Sequence, residues 1–164
     1  MKWPKRVFWA LLILTAAGIG AGQAGLFEGT APTDLGVRDG KLKAPSARLN
    51  SVSSQASLWT DQPQAQAAQI APLALQGGDG PATMAALLQV VRAAPGAVVM
   101  QAGPDYIYAQ FTTPLMKYTD DVEFWLDPAA AVVQVRSASR LGESDLGANR
   151  QRIEAIRAHL AARP

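Results

Sequence analysis

The chain has no cysteine, so disulfide staples, thiolate metal sites and a cysteine nucleophile are all excluded. It has one histidine, His159, beside Leu160 near the end of a segment with helical spacing, which reads as a helix-end or solvated ring rather than a general base. Ser53, Ser54, Ser137 and Ser139 therefore have no histidine in a recognisable nucleophile arrangement. A phosphate-cradling loop is missing too, because Gly77-Gly78-Asp79-Gly80 precedes a helical segment without the lysine and serine that would make it specific. The folded part also lacks a basic excess. The formal charge is +2, but Lys2, Lys5 and Arg6 precede the first apolar run, and from Gly25 onward twelve basic side chains face thirteen acidic ones, a net of −1. That is not the footprint of a nucleic-acid binder. Nothing here implies a cofactor or a metal, and no internal repeat is visible.

What is present begins at the N-terminus. Residues 1–6 hold three basic side chains, and residues 7–27 carry no charge, a run long enough to span a bilayer. Only residues 7–17 are strongly apolar; residues 18–24 are small, and Gly22-Gln23-Ala24 fits a small-x-small cleavage site. Residues 1–24 are thus a signal anchor or a signal peptide. Both send the remainder outward, since the positive flank stays cytoplasmic. The expected location is the inner membrane, contacted through residues 7–24, with the domain on the extracytoplasmic (periplasmic) side, or an exported domain.

Residues 25–50 read as an extended entry strap, with Asp39-Gly40 as a tight turn between Val37-Arg38 and Lys41-Leu42. Residues 51–164 suit a single domain, and with 49% apolar residues overall the chain can build a core without staples. Residues 51–55 suggest a short edge strand, and residues 60–80 a surface loop with a buried patch at Ile70, Leu73 and Leu75. A helix capped by Asp79 or Gly80 carries Pro81 in its first turn and the stripe Met84, Leu87, Leu88 and Val91, and stops at Pro95-Gly96. Strands follow at 97–101, 106–112, 121–127 and 132–139, with connections short enough for an antiparallel meander. A last helix, capped by Ser144 or Asp145, lines one face with Leu146, Asn149, Ile153, Ile156 and Leu160. The predicted fold class is α+β: the N-terminal membrane helix or signal segment, then a small antiparallel sheet of about four or five strands packed against two helices.

Chemistry concentrates where acids and arginines alternate. Strand periodicity puts Asp121, Glu123, Trp125 and Asp127 on one face of their strand, and Arg136 and Arg140 on the matching face of the next, joined by Tyr106 and Tyr108. The candidate binding residues are Asp121, Glu123, Arg136, Ser137, Ser139, Arg140, Asp145, Asn149 and Arg150. Cross-strand ion pairs are one reading of this block. A pocket for an anionic group, built from forked arginines and the amides at the start of the last helix, is another. A third treats Asp120, Asp121 and Glu123 as an acid/base set or hard-metal ligands, but adjacent acids point to opposite strand faces, so no catalytic or metal residue is assigned.

Four motifs carry a resemblance: Asp34-Leu35-Gly36-Val37-Arg38-Asp39-Gly40; Asn50-Ser51-Val52-Ser53-Ser54-Gln55; Asp120-Asp121-Val122-Glu123-Phe124; and Arg136-Ser137-Ala138-Ser139-Arg140 with Asp145-Leu146-Gly147-Ala148-Asn149-Arg150. Together they resemble the bacterial domain-of-unknown-function family 1499 (DUF1499). The resemblance implies an N-terminal hydrophobic segment and no established activity. It also implies a cysteine before Pro45 and another after Asn50, which would pair; this chain has Ala44 and Ser51 there. The functional expectation is a membrane-tethered cell-envelope domain, non-catalytic, that binds a partner protein or an anionic envelope lipid through its acid/arginine surface. The alternative is a hydrolase of envelope material using Asp121 or Glu123.

Overall fold

Uncharged apolar residues with few helix breakers make the first element helical, and the computed structural model, which describes residues 5–163, places α1 at Lys5–Gln23. At 1.5 Å per residue it is about 28 Å long, close to the hydrocarbon thickness of a bilayer. By length and composition it is able to cross a membrane, and the domain buries almost none of it. Its end is a left-handed glycine cap: Gly25 has φ +83°, Gly25 N donates to Gly22 O, and Leu26 N donates to Ala21 O.

The remaining elements are β1 (Ser51–Ser53), α2 (Ala65–Ala68), β2 (Leu73–Ala74), α3 (Gly80–Ala93), β3 (Ala97–Ala102), β4 (Tyr106–Thr112), β5 (Thr119–Asp127), β6 (Val132–Ser139) and α4 (Ala148–Ala161). They form an α+β fold around one antiparallel sheet of order β1-β6-β5-β4-β3, with β2 also paired to β6. The sheet has six strands rather than four or five. The additional strand is β2, two residues long, with Leu73 opposite Val133 inside a Gln-, Ala- and Pro-rich stretch that hides any alternation.

One face of the sheet is apolar. Ile107, Ala109 and Phe111 of β4, Val122 and Phe124 of β5, and Val133 and Val135 of β6 pack against Met84, Leu87, Val90 and Val91 of α3 and Ile153, Ile156 and Leu160 of α4. Asp79 caps α3 through its Oδ1, which accepts from Ala82 N at 2.9 Å. Helical periodicity predicts Leu146 on the buried stripe of α4. Instead Leu146 precedes the helix with φ +52° and is 91% exposed, because the chain turns into α4 through Gly147.

The other face is roofed by the strap. The Asp39-Gly40 turn forms as expected, with Arg38 N to Lys41 O and Lys41 N to Arg38 O at 2.9 and 3.0 Å. Beyond it Leu42 is buried, and Gln55 clamps the strap twice: its Oε1 accepts from Leu42 N at 2.8 Å and its Nε2 donates to Gly40 O at 2.9 Å. Where the family resemblance implies paired cysteines, the loop is closed by Ser46 N donating to Ser51 Oγ at 2.9 Å. The polar side of β5 and β6 is therefore an interior rather than an open surface.

Two hydrogen bonds, one buried and one part-buried, at roughly 0.5–1.5 kcal/mol each hold the strap at Gln55. Gln55→Ala should therefore release it, and exchange of the Leu42 amide should accelerate by about tenfold or more, while amides at the centre of β4 and β5 stay protected. Hydrogen exchange with mass-spectrometric readout checks this.

Candidate functional site

Alternation along β5 places Asp121 and Glu123 on the strap side of the sheet, and Asp120 on the helix side with Val122 and Phe124. β6 lies antiparallel with Glu123 opposite Arg136 and Asp120 opposite Ser139. The block thus divides into two networks on opposite faces.

On the strap side, Glu123 is fully buried and Arg136 is 5% exposed. Glu123 Oε1 accepts from Gly36 N and from the Tyr106 hydroxyl, both at 2.8 Å, while Oε2 meets Arg136 Nη1 at 3.4 Å. Arg136 Nε donates to Ala44 O at 3.2 Å. Next to this pair, Asp121 takes a two-pronged contact from Arg140, Nε to Oδ2 and Nη2 to Oδ1, each 2.8 Å, and also accepts from the Tyr108 hydroxyl at 2.6 Å. Burial pulls the Arg136 guanidinium below its usual basicity, opposed by the charges of Glu123, Asp121 and Asp34. The hydrogen bonds to Asp121 outweigh burial at Arg140 and raise it. Burial first, and then the neighbouring carboxylate, pushes both phenols upward, so Tyr106 and Tyr108 keep their protons and donate to Glu123 and Asp121, while the Tyr108 oxygen also accepts from Gln110 Nε2 at 2.9 Å.

On the helix side, Arg152 joins α4 to the sheet. Its Nη2 meets Asp120 Oδ2 at 2.5 Å, and its Nη1 donates to Asn149 Oδ1 at 2.7 Å and to Ser137 Oγ at 3.1 Å. The guanidinium lies over Phe111, 4.8 Å from the ring centre. Ser137 Oγ also donates to Asn149 Oδ1, and Asn149 Nδ2 donates to Asn50 O, Ser139 Oγ and Asp145 Oδ2. Asp145 in turn accepts from the amides of Gly147 and Asn149 at 3.0 and 2.8 Å. Burial opposes its charge, but those amides and the Asn149 side chain outweigh burial and hold its pKa below the ordinary carboxylate value. The N-cap position proper is Gly147, in the left-handed region, and Asp145 supplies the capping oxygens from two residues earlier.

Of the residues singled out in the sequence, Asp121, Glu123, Arg136 and Arg140 meet on the strap side, and Ser137, Ser139, Asp145 and Asn149 on the helix side. Arg150 joins neither group. Its Nη2 donates to Ala67 O and Gln69 O at 3.0 and 2.9 Å, closing the end of α2. Arg152 belongs to the acid/arginine block of the sequence but not to the candidate binding residues; its signal was its i,i+3 spacing from Asn149. The backbone donor at Gly36 leaves no side-chain signal.

Each oxygen of Asp121 and Glu123 already faces a donor, and the α4 amides at Gly147 and Asn149 are taken by Asp145. Among the described residues no group of three or more His, Asp or Glu side chains is placed to hold a metal ion. Several clefts adjoin the networks. One, of about 460 Å³, lies beside Gly36, Tyr106 and Tyr108. Another, of about 400 Å³, lies under the strap between Lys43, Ser46, Arg136, Ser139 and Arg140, with Lys43 paired to Asp34 at 2.5 Å. A third, of about 360 Å³, lies between α3 and α4, walled by Val90, Ala94, Phe111 and Ile156 and rimmed by Arg152, His159 and Arg163.

The family model described as protein of unknown function, DUF1499, matches residues 41–160. This is well over half of the chain, which belongs to that family. No curated protein and no solved structure matches it.

Removing one member of a buried ion pair leaves an uncompensated charge, so Arg136→Ala should cost about 3–5 kcal/mol of stability. The double change Glu123→Leu with Arg136→Leu should cost less than the sum of its single changes, as a chemical-denaturation cycle will show. Asp145 has a pH signature of known sign. Its folded pKa lies below the unfolded one, so its contribution is complete above about pH 4 and is lost as pH falls through the folded value. Asp145→Asn should flatten that acid limb in denaturation curves measured at stepped pH.

Proposed function

We propose that the protein is a membrane-anchored, non-catalytic envelope domain that binds an anionic lipid, with the lipid's acyl chain in the cleft between α3 and α4. The observation that carries this reading is the cleft itself: about 360 Å³, apolar in its walls and basic only at its rim. That volume falls within the roughly 300–1,000 Å³ of small-molecule sites, and their usual chemistry is an apolar body with a few polar groups at one end. Arg152 connects the cleft to the acid/arginine block, since Asp120, Ser137 and Asn149 hold its guanidinium against Phe111. In this reading the block positions the rim rather than receiving the ligand.

Anchoring is supported by the exposed apolar length of α1 and by its contacts with the domain. Gln23 Nε2 donates to Pro114 O and Leu115 O at 3.1 and 2.8 Å, and a Cβ at Gly22 would come within 2.6 Å of Met116 O. A cleaved signal would have no use for such a fitted end, which favours the signal anchor over the signal peptide. The positive flank at residues 1–6 favours an extracytoplasmic, periplasmic domain. Hydrolysis by Asp121 or Glu123 has less support, because a general acid or base needs a carboxylate with access to substrate, and both are buried among guanidinium and phenol donors.

The full chain in nanodiscs containing an anionic phospholipid with a photoreactive acyl chain tests the reading. Adducts should map to α3 and α4 around Ala94 and Ile156, and Ala155→Trp, which fills the cleft from an exposed position, should remove most of them. Adducts near Ser139 and Arg140 would move the site beneath the strap. Adducts confined to α1, or unchanged by Ala155→Trp, would overturn the cleft as a lipid site.

A further inference from the structure

The loop joining β4 to β5 is short, closed on itself and apolar at its tip. Thr113 N donates to Tyr118 O at 2.9 Å, Lys117 N donates to Thr113 O at 3.1 Å, and Tyr118 N donates to Thr113 Oγ1 at 3.0 Å, so residues 113–118 form a firm turn. Within it Leu115 is 54% exposed and Tyr118 is 40% exposed. The same end of the domain carries Leu26, 68% exposed, and Phe27, whose ring stacks on Tyr118 at 5.3 Å. Apolar and aromatic side chains are thus gathered at one place, which is the place where α1 ends. Gln23 reaches two carbonyls of the loop, and the backbone of Gly22 lies against that of Met116 so closely that any side chain there would collide.

We infer that this loop tip, with Leu26 and Phe27, sits in the outer interface of the bilayer that α1 crosses, so that the domain is held in one orientation instead of swinging on a tether. The inference rests on the anchored reading of α1. Three features identify the bilayer as the occupant. The patch is continuous with the end of the membrane-length helix, so Leu115 lies level with Gln23, where the chain leaves the hydrocarbon. Its composition is that of an interface: Tyr118 offers an apolar body with a polar tip, as in aromatic belts, and the wholly apolar Phe27 ring is stacked on it. Lys117, in the left-handed region at the turn, adds a cation beside the tip where lipid phosphates lie. The loop is also rigid, so insertion costs little ordering entropy.

The lack of cysteine makes the test direct, because one introduced thiol is a unique label site. Leu115→Cys, Leu14→Cys in α1 and Val98→Cys, 58% exposed on edge strand β3, are each nitroxide-labelled in the full chain and reconstituted into nanodiscs containing anionic lipid. Accessibility to oxygen, which concentrates in lipid, is compared with accessibility to a water-soluble nickel chelate. The expected result is that the Leu115 and Leu14 labels are several-fold less accessible to nickel than the Val98 label and more accessible to oxygen. A Leu115 label as nickel-accessible as Val98, with Leu14 in lipid, would overturn the inserted loop and leave the anchor standing. If Leu14 is aqueous as well, the anchored reading falls and this inference with it.

Discussion

A carboxylate with no solvent exposure faces a guanidinium that is nearly as buried, across the central strand pair β5 and β6. Such a pair gains little net stability over apolar residues of similar volume, because both charges have been stripped of water. Its consequence is a demand on the rest of the chain: every remaining lone pair and N–H must find a partner. Glu123 Oε1 takes its donors from Gly36 and Tyr106, and Arg136 Nε finds its acceptor at Ala44, so two of the three partners come from the strap. The strap is thus required where it lies. The pair also fixes register, since sliding β6 by one residue would set Val135 or Ser137 opposite Glu123 and send every β6 side chain to the wrong face.

This explains which parts of the fold were legible in the sequence. The phase of Glu123 and Arg136, the Asp39-Gly40 turn and the α3 stripe are local signals, written within a few residues by period and turn chemistry. The closure of the strap over the polar face is not local. It joins Gly36 to Glu123 through a backbone N–H, which every residue except proline offers, and Ala44 to Arg136 through a backbone carbonyl, which every residue offers. The same holds for Arg150, whose partners are carbonyls of Ala67 and Gln69, and for β2, which is strand only because β6 is beside it. Leu146 failed for the opposite reason: its spacing fits the α4 stripe, but the helix begins two residues later.

The helix-side network has a different consequence. Arg152 commits three of its five N–H groups to Asp120, Ser137 and Asn149, and its flat face to Phe111, so it cannot reorient toward solvent without breaking all four contacts. A rim residue held that way is preorganised, and a ligand meeting it pays little to order the side chain. Asp145 contributes at one remove, because it orients Asn149 while satisfying the first amides of α4. Asp120, Ser137, Asn149 and Arg152 thus form a frame for one wall of the adjoining cleft, whereas Asp121, Glu123, Arg136 and Arg140 lie on the opposite face under the strap.

That frame also adjoins the end of the domain where α1 is attached. Phe111, in the cleft wall, and Asp120, which holds Arg152, each stand only one or two residues from the loop of 113–118 that receives α1. β4 and β5 enter this loop directly from paired positions, Phe111 opposite Asp120 and Thr112 opposite Thr119, so no flexible linker intervenes. The firm loop packed against the backbone of Gly22 thus leaves only paired strand between the end of α1 and the cleft wall. For a domain proposed to take its ligand from the bilayer, a short path of this kind would limit the separation between rim and lipid, which a flexible tether would leave to diffusion.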